Sequence, residues 1–180
     1  MTESPKSPES PKSPEAPKTT AARKSPEACG QPGPGTETTT ADRAWLAVAC
    51  QLATQCPPSP TELSAGAVIV ADDGTELARG CSRRRDPHDH AEEAALAQLV
   101  SDDPRLSEAT LYSSLEPCAE RPSRPRPCAQ LIREAGIRRV VVGRREPGAD
   151  GAGRLESDGI TVIELPEYAD AAKSPNRHLL

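Results

Sequence analysis

His90-Ala91-Glu92, Pro117-Cys118 and Cys128 stand out in this 180-residue chain because together they offer three zinc-type ligands and one carboxylate able to carry protons. An imidazole and two thiolates fill three corners of a tetrahedral zinc. A fourth corner left to water separates a catalytic site from a structural one. Zinc bound by His90, Cys118 and Cys128 would lower the pKa of that water toward neutrality and so make a nucleophile at working pH. Glu92, two residues beyond His90, is placed to take a proton from the water and return it to a leaving group without binding the metal. A purely structural zinc in a binding module is the non-enzyme alternative. It needs a fourth ligand, and no further Cys or His has suitable spacing. His88 is the rival imidazole, but no Glu stands at position 90 to complete its motif. Helical rotation turns Glu93 about 100° away from Glu92. Glu116, at a strand end, is expected either beside the base or on the surface.

These residues need elements to hold them. Trp45, Leu46, Val48, Ala49 and Leu52 recur at helical spacing, with Thr40 or Asp42 as caps and Pro57-Pro58 as a stop. Residues 67–71 read as a strand, and Asp72-Asp73-Gly74 turns it into a second strand over 75–80. Helices are expected over 90–100 and 128–135, strands over 109–115, 137–142 and 159–165, and the start of a terminal helix over 168–172. Strands alternating with helices give an α/β chain with a mixed sheet covered by helices. His90 and Cys128 then open helices and Cys118 closes a strand, so the ligands meet at one edge of the sheet.

Composition narrows the rest. Residues 4–15 repeat Ser-Pro-Lys and Ser-Pro-Glu, and residues 1–40 as a whole read as a disordered Pro-rich tail before a domain over 41–180. The tail holds five basic and five acidic residues, so the net charge of -5 belongs to the domain. That charge and an aromatic fraction of 2% disfavour a nucleic-acid partner, which needs phosphate attraction or stacking platforms. No run approaches the roughly 20 apolar residues of a membrane span. The first twenty residues lack the apolar core of a secretory signal, so a cytoplasmic chain with reduced thiols is expected. Cys50, Cys56 and Cys81 are expected as small buried hydrophobes.

The segment from Ala67 to Glu146 resembles the cytidine deaminase-like superfamily, whose signature pairs His-x-Glu with a later Pro-Cys and a second Cys. Here nine residues, not two, separate Cys118 from Cys128. Leu115-Glu116-Pro117-Cys118, a long Pro- and Arg-bearing loop, Pro127-Cys128-Ala129-Gln130-Leu131-Ile132 and Ala135-Gly136-Ile137-Arg138-Arg139-Val140-Val141 together are similar to the deaminase domain of riboflavin-biosynthesis deaminase/reductases. The resemblance implies a three-layer α/β/α sandwich around about five mixed strands, with zinc at His90, Cys118 and Cys128 and Glu92 as the proton shuttle. It also implies a dimer or larger homo-oligomer that deaminates a small aminopyrimidine nucleotide or related base, with a dCMP- or cytosine-type deaminase as the alternative. Three features depart from the pattern. Ser64-Ala65-Gly66 replaces the usual Asn-Pro pair, the inter-cysteine loop lacks a Gly-Arg-Thr-Pro-Pro run, and these 180 residues contain no reductase domain. Arg121, Arg124 and Arg126 in that loop are expected either to present forks to a substrate phosphate or to be solvated.

Overall fold

The structure is a computed structural model that describes residues 37–179. Helix α1 spans Thr40–Ala53. Its cap is Thr39, one residue before the expected candidates: Thr39 Oγ1 accepts from the Asp42 backbone N–H at 3.1 Å, and Asp42 Oδ2 accepts from the Thr39 N–H at 2.7 Å. This reciprocal box satisfies two of the orphan donors at the helix start, with Asp in the role more often taken by Glu. The proposed tail lies, for residues 1–36, outside the described residues.

Strands β1 (Gly66–Val70), β2 (Glu76–Cys81), β3 (Thr110–Ser113), β4 (Arg139–Val142) and β5 (Thr161–Glu164) form one sheet in the order β2-β1-β3-β4-β5. The β1–β2 and β1–β3 pairs are antiparallel, and the β3–β4 and β4–β5 pairs are parallel. The sheet is therefore mixed and five-stranded, as expected. Side chains alternate across it. Ile69, Leu111, Val140 and Val142 pack with α2 (Ala91–Leu96), α3 (Cys128–Glu134) and α4 (Gly151–Ser157) on one face. Val68, Val70, Tyr112 and Val141 pack under Leu46 and Ala49 of α1 on the other, where α5 (Ala169–Lys173) also buries Ala172. Three layers result.

Helix α4 was not anticipated. Gly148, Gly151 and Gly153 dilute helix propensity, and the segment has only Ala152 and Leu155 to bury, so it reads as a loop. Once formed, it is the crossover that parallel β4 and β5 require. Helix α2 is shorter than expected because its end tightens into i→i+3 bonds, Gln98 N–H to Ala95 O and Leu99 N–H to Leu96 O.

Residue 80 determines how closely α2 approaches the sheet. A Cβ on Gly80 would lie 2.2 Å from the Ala91 carbonyl oxygen and 2.6 Å from the Ala95 nitrogen. Only glycine admits this backbone-on-backbone contact, and Ala91, Ala94 and Ala95 complete a small-residue seam. Gly80→Ala is expected to push α2, with Glu92, off β2 and to destabilise the domain by about 1–3 kcal/mol in urea denaturation.

Candidate active site

His90 is the N-cap residue of α2, with extended backbone (φ -86°, ψ 160°), and its side chain caps nothing. The ring is free to turn toward the sulfurs. Cys128 is the first residue of α3, and its backbone N–H donates to Cys118 Sγ at 3.3 Å. His90 Nδ1 lies 3.5 Å from Cys118 Sγ and 3.5 Å from Cys128 Sγ, and the three donor atoms all lie within 4.8 Å of one another. Zinc bonds of about 2.3 Å to sulfur and about 2.0 Å to nitrogen set tetrahedral N···S edges at about 3.5 Å, so the donor set fits that ion. Among the described residues this is the one cluster of three such ligands, and His88 is not in it. Hydrogen bonding from Cys128, against burial and with help from His90 and the Cys128 N–H, holds the Cys118 thiol well below its usual range. Cys128 is pushed well above it because its S–H donates a hydrogen bond to Cys118 and because it is buried. The hydrogen bond to Cys118 also raises His90, against burial. Metal binding would release the Cys128 proton and require neutral imidazole, so affinity should rise with pH.

Glu92 is buried in the first turn of α2, and its Oε1 accepts from Ser113 Oγ at 2.7 Å. Glu92 shares a cavity of about 500 Å³ with His90 and Cys118, whose other walls include Leu63, Leu115 and Pro147. Its size and mixed lining suit a small polar ring compound. The wall at residues 64–66 is fixed by side chains that come from distant parts of the chain. Asn176, fully buried, accepts from Ser64 N–H at 2.6 Å and donates to Ser64 O at 2.9 Å, while Ala65 N–H donates to Ser82 Oγ and Gly66 N–H to Ser114 Oγ. Thus Ser64-Ala65-Gly66 is a backbone shelf held from below. The one available signal was the Ser113-Ser114 pair ending an apolar strand, since buried hydroxyls need partners.

The arginines of the inter-cysteine loop are paired with acidic residues of the same chain. Arg121, 4% exposed, pairs with Glu93 at 2.6 Å. Arg124 pairs with Asp86 at 3.0 Å and Asp89 at 3.2 Å, and Arg126 pairs with Glu134 at 3.1 Å. These ion pairs tie the arginines to the segment around His90 and to α3, bracing the ligands, while Arg121 Nε and Nη1 are buried without a hydrogen-bond partner. Glu93 is thus a brace. Glu116 Oε2 accepts from the Glu146 N–H at 2.8 Å and Oε1 from the Ala152 N–H at 2.6 Å, which ties the Cys118 turn to the start of α4. A Cβ on Gly151 would lie 1.6 Å from the Pro117 oxygen, so α4 begins directly against that turn. Cys50 and Cys81 are buried as expected, and Cys56 is half-buried.

A three-layer α/β/α fold in which one His, two Cys and a buried Glu gather at strand and helix ends defines the class of zinc-site deaminase folds. The chain belongs to the cytidine and deoxycytidylate deaminase zinc-binding family, whose model matches residues 39–144. It is 36% identical over 124 residues to a diaminohydroxyphosphoribosylamino-pyrimidine deaminase of Schizosaccharomyces pombe, covering 66% of this chain and 30% of that protein. Among solved structures it is similar to a diaminohydroxyphosphoribosylaminopyrimidine deaminase/5-amino-6-(5-phosphoribosylamino)uracil reductase from Thermotoga maritima, with TM-score 0.61, 32% identity and coverage of 75% of this chain and 39% of that one. Acinetobacter baumannii RibD gives TM-score 0.65 at 30% identity, with coverage of 76% and 38%. The chain therefore spans only about a third of the length of these relatives. Among the described residues no helix is long and apolar enough to cross a membrane.

Proposed function

We propose that the chain is a zinc-dependent hydrolytic deaminase that releases ammonia from the exocyclic amine of an aminopyrimidine nucleotide, of the kind named in its riboflavin-pathway relatives. The observation that carries this is the buried Glu92 lining one cavity with His90 and Cys118, two members of the zinc-fitting trio that Cys128 completes. Zinc, when bound, supplies a water that is nucleophilic at neutral pH. The walls formed by Leu63, Leu115 and Pro147 hold the ring and exclude bulk solvent. Glu92 moves two protons in turn, the first from the attacking water to the ring nitrogen beside the amine-bearing carbon and the second from the added hydroxyl to the departing amine, so that water and a ring amine become a ring carbonyl with an adjacent N–H, and ammonia. We further infer a homo-oligomer, on the family resemblance.

Ammonia release by the zinc-loaded full chain tests the proposal. Candidate substrates are the diaminopyrimidine ribosyl phosphate, dCMP, cytidine, cytosine and guanine. Release from the diaminopyrimidine compound is expected. Turnover of dCMP or cytosine alone would move the chain to the other branch of the family, and turnover of none would overturn the substrate class.

A further inference from the structure

We propose that Ser113 is a positioning residue that selects which carboxylate oxygen of Glu92 handles the proton; this rests on the role given to Glu92 above. Ser113 is fully buried in β3, on the same sheet face as Leu111, where an unpaired hydroxyl would be costly. Its partner is Glu92 Oε1 at 2.7 Å, reached across the layer between β3 and α2. Among the described residues no other donor is hydrogen-bonded to the Glu92 carboxylate. The two oxygens are therefore unequal. Oε1 is tethered to the sheet, and Oε2 is left for the cavity that Glu92 lines with His90 and Cys118.

That asymmetry matters for a group that must take a proton at one atom and deliver it to another. Glu92 sits in the first turn of a six-residue helix, and no described side chain besides Ser113 restrains its carboxylate rotation by hydrogen bonding. A freely rotating carboxylate would spend part of its time with the proton facing away from the leaving group. A tethered one keeps the productive oxygen in place, and misplacing a reacting group by about 1 Å can cost on the order of 100-fold. The serine is rigidly mounted. β3 is paired on both edges, Ser113 lies opposite Ala67 of β1 and Val142 of β4, and the Gly80 seam fixes the height of α2 above the sheet.

Thr and Val at position 113 separate the hydroxyl from the volume, since they are nearly isosteric and both suit a buried strand. In the zinc-loaded full chain, Ser113→Val is expected to lower kcat about 10- to 100-fold with KM and zinc content unchanged, and Ser113→Thr to recover most of that loss. In crystal structures of the two variants, the Glu92 carboxylate is expected to keep its orientation in Ser113→Thr and to turn away in Ser113→Val. Equal kcat in the two variants, or an unmoved Glu92 in Ser113→Val, would overturn the proposal. If no substrate is turned over by the unaltered chain, the deaminase reading fails, and the crystallographic comparison still decides the role of Ser113.

Discussion

Glu92→Gln is expected to release ammonia about 100- to 10,000-fold more slowly than the unaltered chain while binding the same amount of zinc. Gln keeps the shape of the side chain and an oxygen that can still accept from Ser113 Oγ, so packing under α2 is preserved. It is neutral and cannot accept a proton from water, which is the property the prediction tests. The metal ligands are untouched because Glu92 is not among the clustered donors His90, Cys118 and Cys128. Ammonia release alongside zinc content by mass spectrometry checks both halves. Wild-type turnover would remove Glu92 from the chemistry, whereas lost zinc would make it a structural support.

Asp42→Ala is expected to destabilise the domain by about 3–5 kcal/mol, the range for removing one partner of a buried ion pair. Asp42 is 1% exposed and accepts from Arg139 at 2.7 Å and 3.0 Å, from Tyr112 Oη at 2.9 Å and from the Thr39 N–H at 2.7 Å. Truncation strips the capping box from α1 and leaves the Tyr112 hydroxyl and the Arg139 fork without this acceptor. Burial alone would raise the Asp42 pKa, but the hydrogen bonds from Arg139, Thr39 and Tyr112 outweigh it and hold the carboxyl at about 2 against an ordinary 3.8. A folded-state pKa below the unfolded value gives stability that is complete above pH 3.8 and lost as pH falls through about 2. The stability gap between the unaltered chain and Asp42→Asn should therefore narrow by roughly 2 kcal/mol across that window in urea titrations. A gap independent of pH would show that Asp42 is not held ionised by these partners.

How much of this was legible beforehand depended on how local each signal was. His90, Glu92, Cys118 and Cys128 could be read because their residue types and spacing state the chemistry directly, and the structure brings the three metal-type donors together. The mixed five-stranded sheet was legible because apolar runs such as residues 67–71 and 137–142 alternate with helical periodicity. Helix α4 was hidden because Gly151, which weakens a helix in isolation, is required where the helix meets the Pro117 carbonyl, a tertiary reason absent from the local pattern. The arginines of the inter-cysteine loop have partners that were hidden for a similar cause. Arg121, Arg124 and Arg126 advertise anion binding, but their anions are Glu93, Asp86, Asp89 and Glu134 of the same chain. Asn176 and Ser113 act across 112 and 21 residues of sequence, beyond any window that periodicity can read.

The change from antiparallel to parallel pairing at β3 has a consequence for how the site comes into being. His90 and Glu92 belong to the half built from the β1–β2 hairpin and α2, and both cysteines belong to the half that runs through β3 and α3. During synthesis the imidazole and the carboxylate therefore emerge well before either thiol. A nascent chain that has folded only its first half lacks both thiolates, and the full donor set exists only once β3 and α3 have joined β1. Zinc uptake would then act as a timestamp for completed folding, later than the collapse of the hairpin half and simultaneous with the meeting of the two halves.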